Sequence, residues 1–268
     1  MSGFSSDWLG LREPFDHAAR SDRLTGMLTR WADGREGLVI ADMGSGTGSN
    51  FRAIEPVLPP GQHWYLLEND PALIEAGRST LPATGRSSCL YVAADLSSSL
   101  EDIVPASVDI VTCSALLDLV SMTWLERLVR LVIGRKAALL AVLTYDDRIR
   151  WRPGDLHDTA MQDLFNRHQR TDKGFGPALG GSAAGELETM LKGKGQLSTE
   201  PSPWVFRPGD RSIQQALLDG FVAAARELDD CDKEEALAWR NQRRTQIDRG
   251  RSHLTVGHID LLFLPDSR

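Results

Sequence analysis

The chain has 268 residues, a formal net charge of −7 and a sequence pI of about 5.4, with 41% hydrophobic and 25% charged residues. Such a composition fits one globular domain with insertions, and it offers no global positive field for holding a nucleic-acid duplex. The three cysteines (Cys89, Cys113, Cys231) lack metal-ligand spacing, no apolar run approaches membrane-spanning length, and Met1 to Asp7 carries no basic-then-apolar signal; a reduced, cytoplasmic setting is the expectation.

Residues 1–36 form a leading segment. Within it, Trp8 to Ala32 is amphipathic, with Leu24, Met27, Leu28 and Trp31 at helical spacing, and it predicts a helix feeding the first strand. Gly37 to Ala41 is a short apolar run, as expected for a strand buried on both faces of a parallel sheet. Trp64 to Leu67, Leu90 to Ala94, Val108 to Cys113 and Ala137 to Thr144 repeat the pattern, ending in Glu68, Asp95, Ser114 and Tyr145. Helices fall between them. Asp70 is placed to cap the second with Pro71 at its first position, and Thr123 with Glu126 reads as a capping box. Strands alternating with helices mean right-handed βαβ units and a parallel sheet. After Tyr145 the pattern changes. Residues 146–195 read as a helical and loop insertion, with Met161, Leu164, Phe165 and His168 on one helical face. Gln196 to Phe206 reads as an edge strand interrupted by Pro201 and Pro203. Residues 207–252 read as a second helical insertion, and His253 to Leu264 as the last strand. Residues 1–268 are thus expected to form a single domain.

The chemistry concentrates at Asp42-Met43-Gly44-Ser45-Gly46-Thr47-Gly48, between a predicted strand and a predicted helix over Ser49 to Ile54. Glycines there permit positive φ and close approach of main chain to a ligand, and unpaired amides at a helix start suit a carboxylate or phosphate. Glu68 follows Gly48 by 20 residues and can accept both hydroxyls of a ribose. Asp95 can accept an adenine amino group. A nicotinamide cofactor is the rival, but its G-x-G-x-x-G fingerprint wants glycine where Ser49 stands. Asp42 also repels a pyrophosphate, whereas it can hold the ammonium of a methionine moiety.

Val39 to Gly48 resembles motif I of the class I S-adenosylmethionine (SAM)-dependent methyltransferases, Glu68 resembles that family's acid after strand two, Asp95-Leu96 its adenine-contacting segment, and Ser114 to Asp118 the segment bordering cofactor and acceptor. The resemblance covers about Gly37 to Thr144, plus the last strand. It implies an α/β, Rossmann-like, doubly wound seven-stranded sheet, mostly parallel with one antiparallel strand, and a helical insertion after strand five. It also implies SAM as cofactor, S-adenosylhomocysteine (SAH) as product and no metal. The expected cofactor-binding residues are Asp42, Gly44, Ser45, Gly46, Gly48, Glu68, Asn69, Asp95, Leu96, Ser114 and Arg20. The chain departs from the family pattern twice: Asp146 to Gly185 has no family-wide counterpart, and the helix between Gln196 and His253 interrupts the expected final hairpin.

Methyl transfer needs an aligned acceptor and, for some acceptors, a proton taken away. His168 is a candidate base, competing with a packed core role on its apolar face; His157 falls off that face. Asp172, Lys173 and Phe175 lie in a turn with Gly174 and Gly176, either a closing loop or a solvated one. Tyr145 and Asp118 lie at strand ends near the ligand edge. Arg20 either pairs a methionine carboxylate or forms a surface pair with Asp16. Trp204 and Trp239 read as pocket or core aromatics. The expectation is therefore His168, Tyr145 and Asp172 as catalytic residues, Asp118, Lys173 and Phe175 toward the acceptor, and a small-molecule acceptor methylated on oxygen, nitrogen or sulfur. RNA or protein methylation, resting on Arg240, Arg243, Arg244, Arg249 and Arg251, is the alternative, with a non-catalytic SAM-binding protein behind it; nucleic acid and membrane are not expected partners.

Overall fold

A computed structural model describes residues 5–81 and 85–266. Its frame is an 8-stranded sheet. The strands are β1 (Val39–Met43), β2 (Gln62–Glu68), β3 (Ser87–Ala93), β4 (Ile110–Ser114), β5 (Ala138–Arg152), β6 (Gly195–Pro201), β7 (Trp204–Phe206) and β8 (His253–Pro265). The spatial order is β3-β2-β1-β4-β5-β8-β6, with β7 also on β8. β1 to β5 pair in parallel, and β8 is antiparallel to its neighbours. The order reverses between β1 and β4, so their carboxyl ends flank the switch point where ligands of such sheets bind.

The expected seven strands become eight through one break. β6 and β7 lie end to end along the same edge of β8, β6 beside Ile259 to Pro265 and β7 beside Leu254 to Val256. Pro201 closes the first and Pro203 precedes the second, and proline donates no ladder bond. Between them the Ser202 amide donates to the His258 carbonyl at 2.9 Å.

The helices are α1 (Ser6–Ala19), α2 (Asp22–Ala32), α3 (Ser49–Ile54), α4 (Pro71–Thr80), α5 (Leu100–Ile103), α6 (Met122–Arg135), α7 (Asp158–Gln169), α8 (Ala183–Leu191), α9 (Arg211–Arg226) and α10 (Lys233–Asp248). One sheet face is covered by α2, α3 and α4, through Leu24, Leu28, Phe51, Ile54 and Ile74, and this core continues into α9 and α10. The other is covered by α5, α6 and α8, through Leu100, Leu125, Leu128 and Leu187. Covered on both faces, β1, β4 and the first half of β5 are buried almost throughout, with Asp42 and Thr112 as polar residues inside β1 and β4.

Four local expectations meet tertiary structure differently. Asp70 caps α4 as expected, its side chain accepting from the Ala72 amide. α6 begins earlier than the Thr123–Glu126 pattern suggests, because Ser121 Oγ accepts from the Trp124 amide. The leading helix is broken in two. Arg20 turns extended, the Ser21 hydroxyl caps α2, and the Ser21 amide donates to Asp260 on β8 at 2.9 Å. Finally, β5 does not end at Tyr145. Leu143 and Asp147 take positive φ (55° and 65°), the register against β8 shifts, and the strand runs on to Arg152. The other Asp260 carboxylate oxygen accepts from the Leu143 amide at 2.8 Å and so braces this irregularity.

Candidate functional site

The glycine loop occupies the carboxyl end of β1, with Gly44, Gly46 and Gly48 at φ of 64°, 53° and 84°. Those conformations are costly for any residue with a Cβ, which explains the spacing. The amides are not bare, as the sequence had suggested. Gly44 and Ser45 donate to the Leu67 carbonyl, Gly48 to the Ser45 carbonyl, and Gly46 to Glu68 Oε2 at 2.8 Å. The other oxygen of Glu68 accepts from the Asn69 and Asp70 amides. Glu68 therefore ties the tip of β2 to the loop of β1. The third tip is adjacent: the Ala94 amide donates to the Glu68 carbonyl at 2.9 Å, and the Leu96 side chain lies 3.9 Å from where a Cβ on Gly44 would sit. Asp95 is exposed and accepts from the Ser97 amide. Ser114 is half-buried at the end of β4.

Beneath the loop runs a buried chain of hydrogen bonds. Arg20 donates to Asn50 Oδ1 at 2.6 Å, and Asn50 Nδ2 donates to Asp42 Oδ1 at 2.6 Å and to the Thr112 hydroxyl at 2.8 Å. Arg20 does not pair with Asp16, contrary to the surface alternative; Asp16 pairs with Arg12 at 2.8 Å. Burial leaves Arg20 Nε and Nη1, Asp42 Oδ2 and Ser45 Oγ without partners. Unmet buried donors and acceptors are costly and rare, so their clustering marks a place shaped for something else. Burial pushes Asp42 up to about 7, with Asn50 and Arg20 opposing and Glu68 reinforcing the rise.

That shift has a sign. A carboxyl with a raised folded pKa holds a proton in the fold that the unfolded chain has already released above pH ~4. Its contribution is full at low pH and is lost as pH rises through about 7. Asp42→Asn should therefore gain stability relative to the wild type by about 1 kcal/mol per pH unit from pH ~5 to about 7 and level off above that. Thermal unfolding of both proteins across that range checks it; a difference that does not change with pH refutes it.

The site is roofed by α1. Glu13 grips Arg52 with two bonds of 2.6 and 2.7 Å, and His17 lies 3.1 Å from Ser49. Leu9 Cδ1 lies 3.0 Å from the Cβ position of Gly46. The adjoining face of α1 carries Arg12 and Asp16 toward β7 and β8. Trp204 Nε1 donates to Asp16 Oδ1 at 3.0 Å, the Arg12 guanidinium lies 5.2 Å from the Trp204 ring, and that ring lies 4.5 Å from the ring of His258. Asp118 completes this second cluster. Burial pushes its carboxyl up to about 6, opposed by main-chain amides and by the Arg12 charge. Burial and the Arg12 charge push His258 down to about 3, so the imidazole is neutral. The alternation of β8 placed His258 inward, but with no chemical pattern around it the sequence reading passed over it.

Of the other expected residues, Tyr145 packs edge-on beside His258, and His168, Asp172, Lys173 and Phe175 make contacts of their own. His168 on α7 pairs with Glu227 at 2.9 Å, with Lys173 close by at 3.4 Å. Tyr145 is buried, and its hydroxyl donates to Asn166 at 2.7 Å. Asp172 Oδ1 accepts from the Gly174 and Gly176 amides, so it organises its own turn. Phe175 packs edge-on against Trp124 at 5.9 Å. None of His168, Tyr145 and Asp172 is hydrogen-bonded to the glycine loop or to Glu68 among the described residues. A cleft of about 610 Å³ opens beside α7, but its walls are ion pairs, Arg170 with Asp147 and Arg167 with Asp230. Three of the five clustered arginines meet carboxylates. Arg243 is buried on Asp158, and Arg240 and Arg244 face Asp219. Among the described residues, no helix is long and apolar enough to cross a membrane, and no group of three or more His, Cys, Asp or Glu is placed to hold a metal ion.

Comparison with solved structures gives the fold. The YcgJ protein of Bacillus subtilis superposes with a TM-score of 0.53 at 15% identity, over 92% of this chain and 100% of that one. A loganic acid methyltransferase solved with SAH gives 0.54 at 12% identity, over 100% and 99%. A candidate methyltransferase from Bacillus halodurans gives 0.51 at 13% identity, over 90% and 99%. No protein-family model and no curated protein matches the sequence. At such identities the likeness establishes architecture: the chain has the class I methyltransferase fold.

Proposed function

We propose that the protein is a SAM-dependent methyltransferase acting on a small molecule. The observation that carries this reading is the convergence of Glu68 on Gly46, beside Arg20, whose buried guanidinium keeps two nitrogens unpaired. The residues present fit the cofactor. Arg20 is placed for its carboxylate, Asp42 Oδ2 and Ser45 Oγ for its ammonium, Glu68 for its ribose hydroxyls, and Asp95 with Leu96 for its adenine. SAM, when bound, supplies a methyl group on a positively charged sulfur that is already an activated leaving group. The protein's task is then to orient the acceptor, exclude water and receive a proton. The Leu9 side chain rests over Gly46 and is the part of α1 that a ligand at this loop would displace. Arg243, buried on Asp158, is not available to a nucleic-acid acceptor, and Arg240 and Arg244 share the charge of Asp219. Calorimetric titration with SAM and SAH tests the reading: saturable binding of both in the micromolar range is the expected result, and no heat at 1 mM ligand ends it.

A further inference from the structure

We infer that the buried cluster of Arg12, Asp118 and His258 is the acceptor subsite, that it takes an amino or hydroxy acid whose carboxylate Arg12 holds, and that Asp118 receives the acceptor's proton. The inference rests on the methyltransferase reading and goes beyond it to substrate class and base. Its first support is place. Leu116 Cδ1 lies 3.5 Å from the Cβ position of Gly44, so the segment after β4 borders the loop, and two residues on the Asp118 carboxyl is held by the main chain at Tyr145, the residue paired with His258 on β8.

The second support is a set of unmet groups. Asp118 Oδ1, His258 Nδ1 and Ser202 Oγ are all buried without partners. Asp118 and His258 are 8% and 4% exposed. Arg12 is fixed by its Nε bond to Asp16, itself held by Trp204, and among the described residues its two terminal nitrogens make no hydrogen bond. The cluster thus presents a carboxylate and an imidazole that call for a hydrogen-bond donor, next to a guanidinium that is paired with Asp16 through Nε and keeps terminal N–H donors for a second anion. A molecule with an amine or hydroxyl near a carboxylate meets both demands at once. The rings of Trp204 and Tyr145 flank His258 at 4.5 and 6.2 Å and wall the subsite with apolar surface.

The proton account closes. The acceptor's lone pair forms the new bond to the methyl carbon, the carbon–sulfur pair returns to sulfur and cancels its charge, and the N–H or O–H proton passes to Asp118 Oδ1. Burial has already raised the proton affinity of that carboxylate toward the working range of a general base. His258, neutral and unpaired at Nδ1, orients the same group.

The test uses the standard L-amino acids, glycolate, lactate and the hydroxybenzoates, each beside its primary amide. Calorimetry reads their binding to the SAH complex, and tritiated SAM reads their methylation. At least one acid should bind and be labelled, and its amide should bind about 10-fold or more weakly. Asp118→Asn should keep SAH affinity within about threefold and acid binding within about 10-fold, while turnover falls about 100-fold or more. Arg12→Gln with Asp16→Asn, which removes the buried pair together, should erase the preference for acid over amide. SAH binding with acids and amides bound equally, or neither bound, overturns the inference, as does full turnover by Asp118→Asn. A protein that binds no SAH removes the methyltransferase reading itself, and this inference falls with it.

Discussion

Glu68→Ala is expected to weaken SAH binding roughly 100-fold or more, the loss of two charge-assisted hydrogen bonds of about 1.5–3 kcal/mol each. The loss has two sources. In the protein as folded, the Glu68 carboxylate accepts from the amides of Gly46, Asn69 and Asp70 at 2.8, 2.8 and 2.9 Å. It therefore sets the spacing between the glycine loop and the tip of β2 before any ligand arrives. It is also the acid placed for the ribose hydroxyls. Glu68→Gln separates the two, since it keeps one acceptor oxygen and loses the charge; a loss of about 10-fold is expected there. Calorimetry on both variants is the measurement. Affinity within threefold of wild type for Glu68→Ala would exclude the sugar-binding role.

Arg243→Ala should cost about 3–5 kcal/mol and lower the melting temperature by roughly 10 °C, with SAH affinity unchanged in the folded protein. Arg243 is fully buried. Its guanidinium grips both oxygens of Asp158, donates to the Pro153 carbonyl at 2.7 Å and to Gln246 at 2.8 Å, and lies 5.3 Å from the Trp151 ring. Trp239 Nε1 adds a bond to Asp158 at 2.9 Å. Truncating Arg243 alone leaves a carboxylate without its counter-charge, which costs more than the pair was worth. Arg243→Met with Asp158→Leu should therefore recover most of the loss. If Arg243→Ala melts like the wild type, this buried junction of α7, α10 and the far end of β5 does not hold the insertions together.

Local chemistry made much of the nucleotide-binding half legible. Apolar runs ending in Asp42, Glu68 and Asp95 placed β1, β2 and β3; β1 is covered on both faces and shows no polar alternation, whereas β3 proves to be an edge strand with Leu90 exposed. Glycines at Gly44, Gly46 and Gly48 marked positive φ, because only glycine adopts it freely. Ion pairing made the arginines misleading. Arg240, Arg243 and Arg244 read as a basic patch, yet their partners, Asp158 and Asp219, lie far away in sequence.

The sequence by itself determined the alternation of strands and helices, the order of the acids at the strand tips and the loop that links them, since each depends on residues within one turn or one strand. Tertiary structure alone decided that Asp260 on β8 splits the leading helix and kinks β5, that α1 lies over Gly46, and that Arg12, Asp118 and His258 share one buried cluster. Those residues are more than 100 positions apart. No spacing rule joins them; the fold brings them together because β8 returns antiparallel beside β5 and sets His258 opposite Tyr145.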